Sequence, residues 1–423
     1  MSVCALTEKM WDLIVVGGGM TGVAAAVSAR RMGLEVLILE KAGYLGGAAG
    51  TCLINPFMPY STTVDGKRFE LSRGFFTELK KMLLEVGGQS SKSEVLHEEY
   101  LKLAMDRLVT KEGVQPLFHA TLCGVEKDGE TITAVKVATK AGALTFKANC
   151  FIDCTGDADL AVMAGCPFRL GREDGLCQPM TLCFRIGNVD IEKYRENRPM
   201  MQELYKKFQA EGKITNPREN VLVFNTLVDG MLHFNTTRVV KHNPTDPLDV
   251  TKAEMIAREQ MFEMYYFLRD NIPGFENSQL IYSAGEIGVR ESRMIEGEYV
   301  LTEYDLKECT QFEDKIAAGN YDIDIHSPDG SGTSHYYFPA GTWYTIPYRT
   351  MLPRNADNLL VSGRCISTTH EAQASIRIMP IVTTLGEAAG VAAAVAAKAG
   401  VNVKQVDVKE IQRILQAQGA FIG

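Results

Sequence analysis

Trp11-Asp12-Leu13-Ile14-Val15-Val16-Gly17-Gly18-Gly19-Met20-Thr21-Gly22 is the stretch on which the reading of this chain turns. A short apolar run rich in β-branched residues has the composition of a buried parallel strand. It stops at a G-x-G-x-x-G cluster. The alanine-rich run from Val23 to Met32 predicts a helix, and Leu34 to Leu39 predicts a second strand that ends at Glu40. Strand, glycines, helix, strand and terminal acid follow one another as a dinucleotide-binding βαβ unit requires.

Each part of the unit has a physical task. Gly17 permits the tight turn, Gly19 lets the backbone approach a pyrophosphate, and Gly22 lets the helix pack closely on the strand. The helix start at Met20 and Thr21 offers free amides and a positive dipole end to the phosphates. Glu40 lies eighteen residues after Gly22. A carboxylate there accepts hydrogen bonds from both hydroxyls of an adenosine ribose and repels a 2′-phosphate, which selects FAD or NAD over NADP. An NAD domain would continue from Glu40 into its next helix. Here Lys41-Ala42-Gly43-Tyr44-Leu45-Gly46-Gly47-Ala48-Ala49-Gly50 follows, a glycine-rich segment suited to backbone running along an extended cofactor.

At this point the chain resembles the FAD-dependent oxidoreductases of the glutathione-reductase type. More narrowly it resembles the branch of fumarate reductase and succinate dehydrogenase flavoprotein-like proteins. Two further segments carry the likeness. Asn149 to Asp157 resembles the family's strand ending in a Thr155-Gly156 turn beside the cofactor, with Asp157 next to it. Asn358 to Arg364 resembles its last strand, which ends at Gly363 and Arg364 near the ribityl chain. The resemblance implies that Arg377 and Ile378 lead into a small-residue helix, Ile381 to Ala397, whose N-terminus faces the flavin pyrimidine ring. It also implies that the strand holding His119, Ala120 and Thr121 supplies backbone to the adenine. The implied cofactor is FAD, held without a covalent link, since no histidine precedes His97.

The expected fold class is α/β, a discontinuous Rossmann-type FAD-binding domain with a smaller α+β substrate or cap domain. The FAD domain is read as residues 1–165 and 346–423, the substrate domain as 166–345. A length of 423 residues fits two or three domains. Helices are expected at Leu71–Val86, Ser93–Lys111, Ile191–Glu211 and Thr251–Asn271. Strands are expected at Gln115–Val125, Thr131–Ala138, Met180–Ile186, Val221–Leu227 and Met231–Val240, the last two joined through Asp229-Gly230.

Composition narrows the partners. Hydrophobic residues make up 46% and charged residues 23%, the balance of a globular protein in water. A net charge of −8 without a Lys/Arg-rich block argues against nucleic acid. Ten cysteines occur without a C-x-x-C pair, so neither a zinc site nor an iron–sulfur cluster is expected. Scattered cysteines and the lack of a signal-peptide pattern read as a reduced, cytoplasmic protein. The uncharged stretch Leu13 to Ala29 is broken by glycines and divides into strand and helix, so no membrane span is expected.

Candidate chemistry gathers in the second half. Arg290-Glu291-Ser292-Arg293 resembles a run found near the cap in this branch. Either arginine can clamp a substrate carboxylate; alternatively Glu291, Glu296 and Glu298 neutralise both at the start of a surface helix. His370, in the loop between last strand and last helix, is a candidate proton carrier or a residue capping backbone. Asp322, Asp324 and His326 share one face of an alternating strand, and a polar edge is preferred to a metal half-site. Tyr336, Tyr337, Trp343, Tyr344 and Tyr348 read mostly as core at the domain junction. Cys52 follows the Gly-Gly segment towards the flavin. No second dinucleotide fingerprint occurs. The function expected is hydride transfer between a small organic substrate and FAD, with the electron acceptor open. A flavin monooxygenase and a non-enzymatic binding protein on the same fold are the alternatives.

Overall fold

The computed structural model describes residues 3–423. Its central sheet places parallel strands in the order Gln115–Leu117, Val36–Leu39, Met10–Val16, Gly142–Asp153 and Leu359–Val361. The strand Gly142–Asp153 serves two partners. Its second half lies between Met10–Val16 and Leu359–Val361, and its first half pairs antiparallel with Thr131–Thr139. Thr121–Asp128 completes that antiparallel edge. The stretch expected as one strand, Gln115–Val125, is therefore broken. His119 takes a left-handed φ of 51°, and the Ala120 amide turns back to the Glu40 carbonyl. The two halves thus join different edges of the sheet.

The helix Met20–Arg31 leaves the first strand and packs under Met379–Ala399. The second helix starts two residues earlier than its composition suggested. It is apolar all round because nearly every side of it is core. It is long and apolar enough to cross a membrane, and here 94% of its apolar window is buried inside the protein. Gly386 and Gly390 set the spacing: a Cβ on either would stand 2.1 Å from the carbonyl oxygen of Thr21 or Ala25. The two helices therefore meet backbone to backbone, which fixes the start of the first one beside the last strand.

The inserted unit is a four-stranded antiparallel sheet, Val223–Asn225, Leu232–Phe234, Phe184–Gly187 and Gln279–Ser283. The helices Ile191–Ala210 and Pro247–Asn271 cover it. Its apolar core runs from Met180 to Ile287 and takes in Leu53. Buried residues between Leu301 and Leu352 instead share a core with Met20–Arg31 and Met379–Ala399. The segment 166–345 is thus divided between two cores. A buried ion pair, Arg185 Nη2 to Glu98 Oε2 at 3.0 Å, fastens the inserted sheet to the first unit.

Gly390→Ala would force the helix pair apart. Overpacking of this kind costs about 1–3 kcal/mol, so the variant should melt below the parent protein in a thermal denaturation scan. An unchanged melting temperature would show that the helices separate freely.

Candidate functional site

The glycine turn is built by contact between main chains. Gly17 sits at φ +100°, and a Cβ on it would stand 2.4 Å from the Cys154 carbonyl oxygen. At Gly22 a Cβ would meet the Gly17 oxygen at 1.9 Å. Gly18 donates its amide to Glu40 Oε2 at 2.6 Å, and Ala42 donates to Oε1 at 2.7 Å. The carboxylate of Glu40 is thereby held at the strand end with lone pairs to spare. The Gly46 amide bonds the Gly18 carbonyl at 2.9 Å. Gly47, at φ +56°, lies so close that a Cβ would stand 2.8 Å from the Gly19 Cα.

These residues fit FAD. Gly19 caps the helix without a side chain, and the first intrahelical bond is made by Val23. The amides of Met20, Thr21 and Gly22 therefore precede the helix ladder and can hold a pyrophosphate. The helix Met379–Ala399 starts the same way: Ile378 is its cap, with no side-chain bond. Gly363, at φ +114°, faces Thr21, and a Cβ on it would stand 3.7 Å from Thr21 Oγ1, in ordinary van der Waals contact. Lys41 is paired outward with Glu286 at 2.9 Å. Thr121 is exposed and paired to the Thr131–Thr139 strand. The structure thus sets it apart from the turn, and the amides of His119 and Ala120 are the ones that meet the Ala42 and Glu40 carbonyls.

The Thr155–Asp159 turn forms a second polar centre. Thr155 gives both its amide and its hydroxyl to Asp153 Oδ1. Burial pushes the Asp153 carboxyl up to about 6, against the amides of Ala161 and Thr155 that bond it. Gly156 adopts φ +82° against the Arg364 guanidinium. Arg364 Nη2 donates to Asp157 Oδ1 at 2.6 Å, which joins this turn to the end of the last strand. Ser292 donates to the same oxygen.

Arg293 belongs to this turn as well. It donates to the Asp157 carbonyl and pairs with Asp159. That corrects its expected place as a substrate clamp, because its charge is already spent. The segment is extended rather than the start of a surface helix, and Glu291 neutralises neither arginine. It is fully buried; one oxygen accepts the Gln178 amide at 2.9 Å. The other bonds His370 Nδ1 at 2.7 Å.

His370 opens a short helix, His370–Ile376, which Thr369 caps; the stretch was expected as a loop. Burial draws the imidazole pKa down, but the Glu291 bond outweighs it and the net shift is upward. The carboxylate fixes the proton on Nδ1. Among the described residues nothing bonds Nε2, and the ring lines a cavity of about 420 Å³ together with Arg172, Ile325, Thr333, Ser334 and Glu371. Gln178 and Gln373 tie this pair to Arg290, through a Gln178 Nε2 bond to Gln373 Oε1 and a Gln373 Nε2 bond to the Arg290 carbonyl.

Arg290 faces a group of cations. Burial, then Arg218, Arg377 and Arg238, press its pKa down to about 9. Arg238 Nη2 approaches His326 Nδ1 at 3.0 Å, and Arg377 Nη2 pairs with Asp324 at 3.3 Å. An arginine cannot accept a proton, so His326 Nδ1 accepts and Nε2 carries the hydrogen towards Asp324. Burial and Arg290 press His326 down to about 3 despite that carboxylate, so the ring is neutral. Asp324 and His326 share a face as expected, while Asp322 turns to His335 at 2.5 Å. Asp322, Asp324 and His335 offer oxygen and nitrogen atoms within 4.8 Å of one another, but Asp324 is already balanced by Arg377. Tyr344 and Tyr348 are core, whereas Tyr336 and Tyr337 are exposed. Burial raises the Cys52 thiol to about 11.

A family model described as FAD dependent oxidoreductase matches residues 12–415. The chain is 32% identical over 117 residues to a dihydrolipoamide dehydrogenase of Chaetomium thermophilum, 26% of this chain and 22% of that one. It is 29% identical over 108 residues to a thioredoxin reductase of Ureaplasma parvum, 25% of this chain and 34% of that one. The matches thus span between about a fifth and about a third of those relatives' own length. A geranylgeranyl bacteriochlorophyll reductase-like structure from Thermoplasma acidophilum aligns over 97% of this chain and 83% of its own, with 14% identity and a TM-score of 0.45.

Glu40→Ala removes the acceptor for the Gly18 amide and for the ribose hydroxyls. FAD affinity, measured by titrating flavin-free protein, should fall at least tenfold, which corresponds to about 1.4 kcal/mol.

Proposed function

The chain belongs to the FAD-dependent oxidoreductase family, and from that premise we propose that it moves a hydride between a small organic substrate and noncovalently held FAD. When bound, FAD supplies the two-electron chemistry, and the protein supplies orientation, proton transfer and charge. The parallel sheet with its antiparallel three-strand edge supports reading the nucleotide-binding unit as glutathione-reductase-type; the narrower reading, the fumarate reductase and succinate dehydrogenase flavoprotein-like branch, rests on the sequence resemblance of residues 149–157 and 358–364.

The observation that carries this reading is how the inserted unit sits on the nucleotide segment. The amides of Gly285 and Glu286 both bond the Thr51 carbonyl. A Cβ on Gly288 would meet Ile54 Cδ1 at 3.2 Å and Cys52 Cβ at 3.6 Å. The segment that leads to Arg290 therefore rests directly on the Gly46–Cys52 backbone. A substrate bound there lies between the two units, with water excluded by the apolar contacts of Leu53, Ile54 and Ile287.

In this reading His370 moves the proton. Glu291 holds Nδ1–H and orients the ring, which leaves Nε2 to take a proton from a substrate hydroxyl or amine or to return it. Arg290 binds and orients.

Anaerobic exposure of the loaded protein to pools of small organic acids, alcohols and amines tests the proposal. Bleaching of the flavin band by one pool without NAD(P)H is the expected result; bleaching that requires NAD(P)H in every case contradicts it. Acid precipitation should leave the flavin in the supernatant. In Glu291→Gln the His370 pKa, read by proton NMR titration, should move to lower pH, because the group that raises it is gone. The same titration midpoint in both proteins would remove Glu291 from the proton-carrying unit.

A further inference from the structure

We infer that the chain pairs with a second copy of itself, two-fold and antiparallel, through the outer face of Pro247–Asn271. The inner face of this helix covers the inserted sheet and buries Ala257, Met261, Met264 and Leu268. The outer face carries Leu248 and Met255, 70% and 61% exposed, with Phe262 and Tyr266 exposed further along and Ile256 at the flank. Single apolar residues are ordinary on a surface, whereas a contiguous apolar patch marks a place of contact. Leu248, Met255 and Phe262 recur every seven residues, and Lys252, Glu259 and Tyr266 fill the positions between them. That alternation of three and four is the seam of a helix that packs lengthwise on another helix.

Charge identifies the partner. Lys252 and Glu259 lie within the stripe and are both exposed. Seven residues apart, they are separated by about 10.5 Å along the helix, too far to pair within one chain. Lys252 has a loose contact with Asp249 at 3.7 Å. Arg258 pairs with Glu254 at 3.0 Å, and among the described residues no cation pairs with Glu259. A second copy laid antiparallel, with the two-fold axis between Met255 and Ile256, sets Lys252 opposite the partner's Glu259 and repeats that contact on the other side. Met255 then meets the partner's Ile256 at the centre, and Leu248 packs beside the partner's Phe262. A parallel copy would set lysine against lysine and glutamate against glutamate, which destabilises a helix pair. An anionic lipid surface suits the stripe less, because Glu259 lies inside it and the chain carries a net charge of −8.

The same helix holds one wall of the candidate site from behind. Glu254 Oε1 accepts the Ile287 amide at 2.7 Å, and the Cys52 thiol faces the Ile287 carbonyl at 3.7 Å. Gln260 bonds the Arg238 main chain in both directions, accepting its amide at 2.8 Å and donating to its carbonyl at 3.0 Å. A partner helix along the outer face therefore steadies the element that fixes Ile287 and Arg238.

Sedimentation velocity on the full, FAD-loaded chain over a dilution series tests the inference. The parent protein should sediment with the mass of two chains when concentrated and of one chain when dilute. Lys252→Glu alone and Glu259→Lys alone each place like charges at both contacts, so each should raise the dissociation constant at least tenfold. Mixed together, the two single variants present opposite charges at both contacts and should form the pair again, as should the double variant that carries both changes. All these positions face solvent, so each variant should melt and take up FAD as the parent does. Arg195→Glu, on Ile191–Ala210, is the control and should pair like the parent. A parent that stays a single chain at every concentration overturns the inference, as do single variants that pair undiminished or a mixture that does not recover. A single-chain parent that floats with phosphatidylcholine vesicles would assign the stripe to a lipid surface and overturn it as well.

Discussion

The Gly18 amide held at 2.6 Å from the Glu40 carboxylate is the contact from which the rest of the molecule is organised. It brings the end of one strand to the turn at the end of its neighbour. Around it Gly17, Gly22 and Gly47 approach other backbone so closely that a single methyl group would not fit at any of them. The turn is a place where main chain meets main chain, and the amides at the helix start face outward from it. A nucleotide diphosphate placed there would meet those amides without side chains in between. Because Met379–Ala399 packs on the same helix through Gly386 and Gly390, the C-terminal part of the chain is brought to the same place. The Gly363 turn and the start of Met379–Ala399 are held there with it.

Charge organises the other half of the site. The turn Thr155–Asp159 is balanced, with Asp157 and Asp159 matched by Arg364 and Arg293. The turn is thus a finished structural joint. Arg218 and Arg290, by contrast, form no ion pair with a carboxylate among the described residues. His370 differs from both: its partner Glu291 is fully buried, so one ring nitrogen is committed and the other remains available at a cavity wall.

What could be read from the sequence follows from range. The nucleotide turn was legible because its strand, glycines, helix and acid lie within about thirty residues and each has a local cause. The hairpin through Asp229-Gly230 and the long helices were legible from periodicity for the same reason. The arginine group was not, because Arg218, Arg238, Arg290 and Arg377 come from four distant segments that only the folded sheet brings together. Glu291 was misread as a neutraliser of its neighbours, because adjacency in the chain suggested a partner that burial gave to His370. The helix at His370–Ile376 had a local signal in Thr369 followed by Glu371, a cap and a first-turn acid. The break at 118–120 had none, since it depends on two sheet edges claiming the same run of residues.

Calorimetric titration of flavin-free protein with FAD and, separately, with FMN tests the central claim most directly. If the glycine turn and Glu40 hold the diphosphate and the adenosine ribose, FAD binds and FMN, which lacks the adenylate, binds at least a hundredfold more weakly. Equal affinity for the two, or no affinity for either, would contradict it.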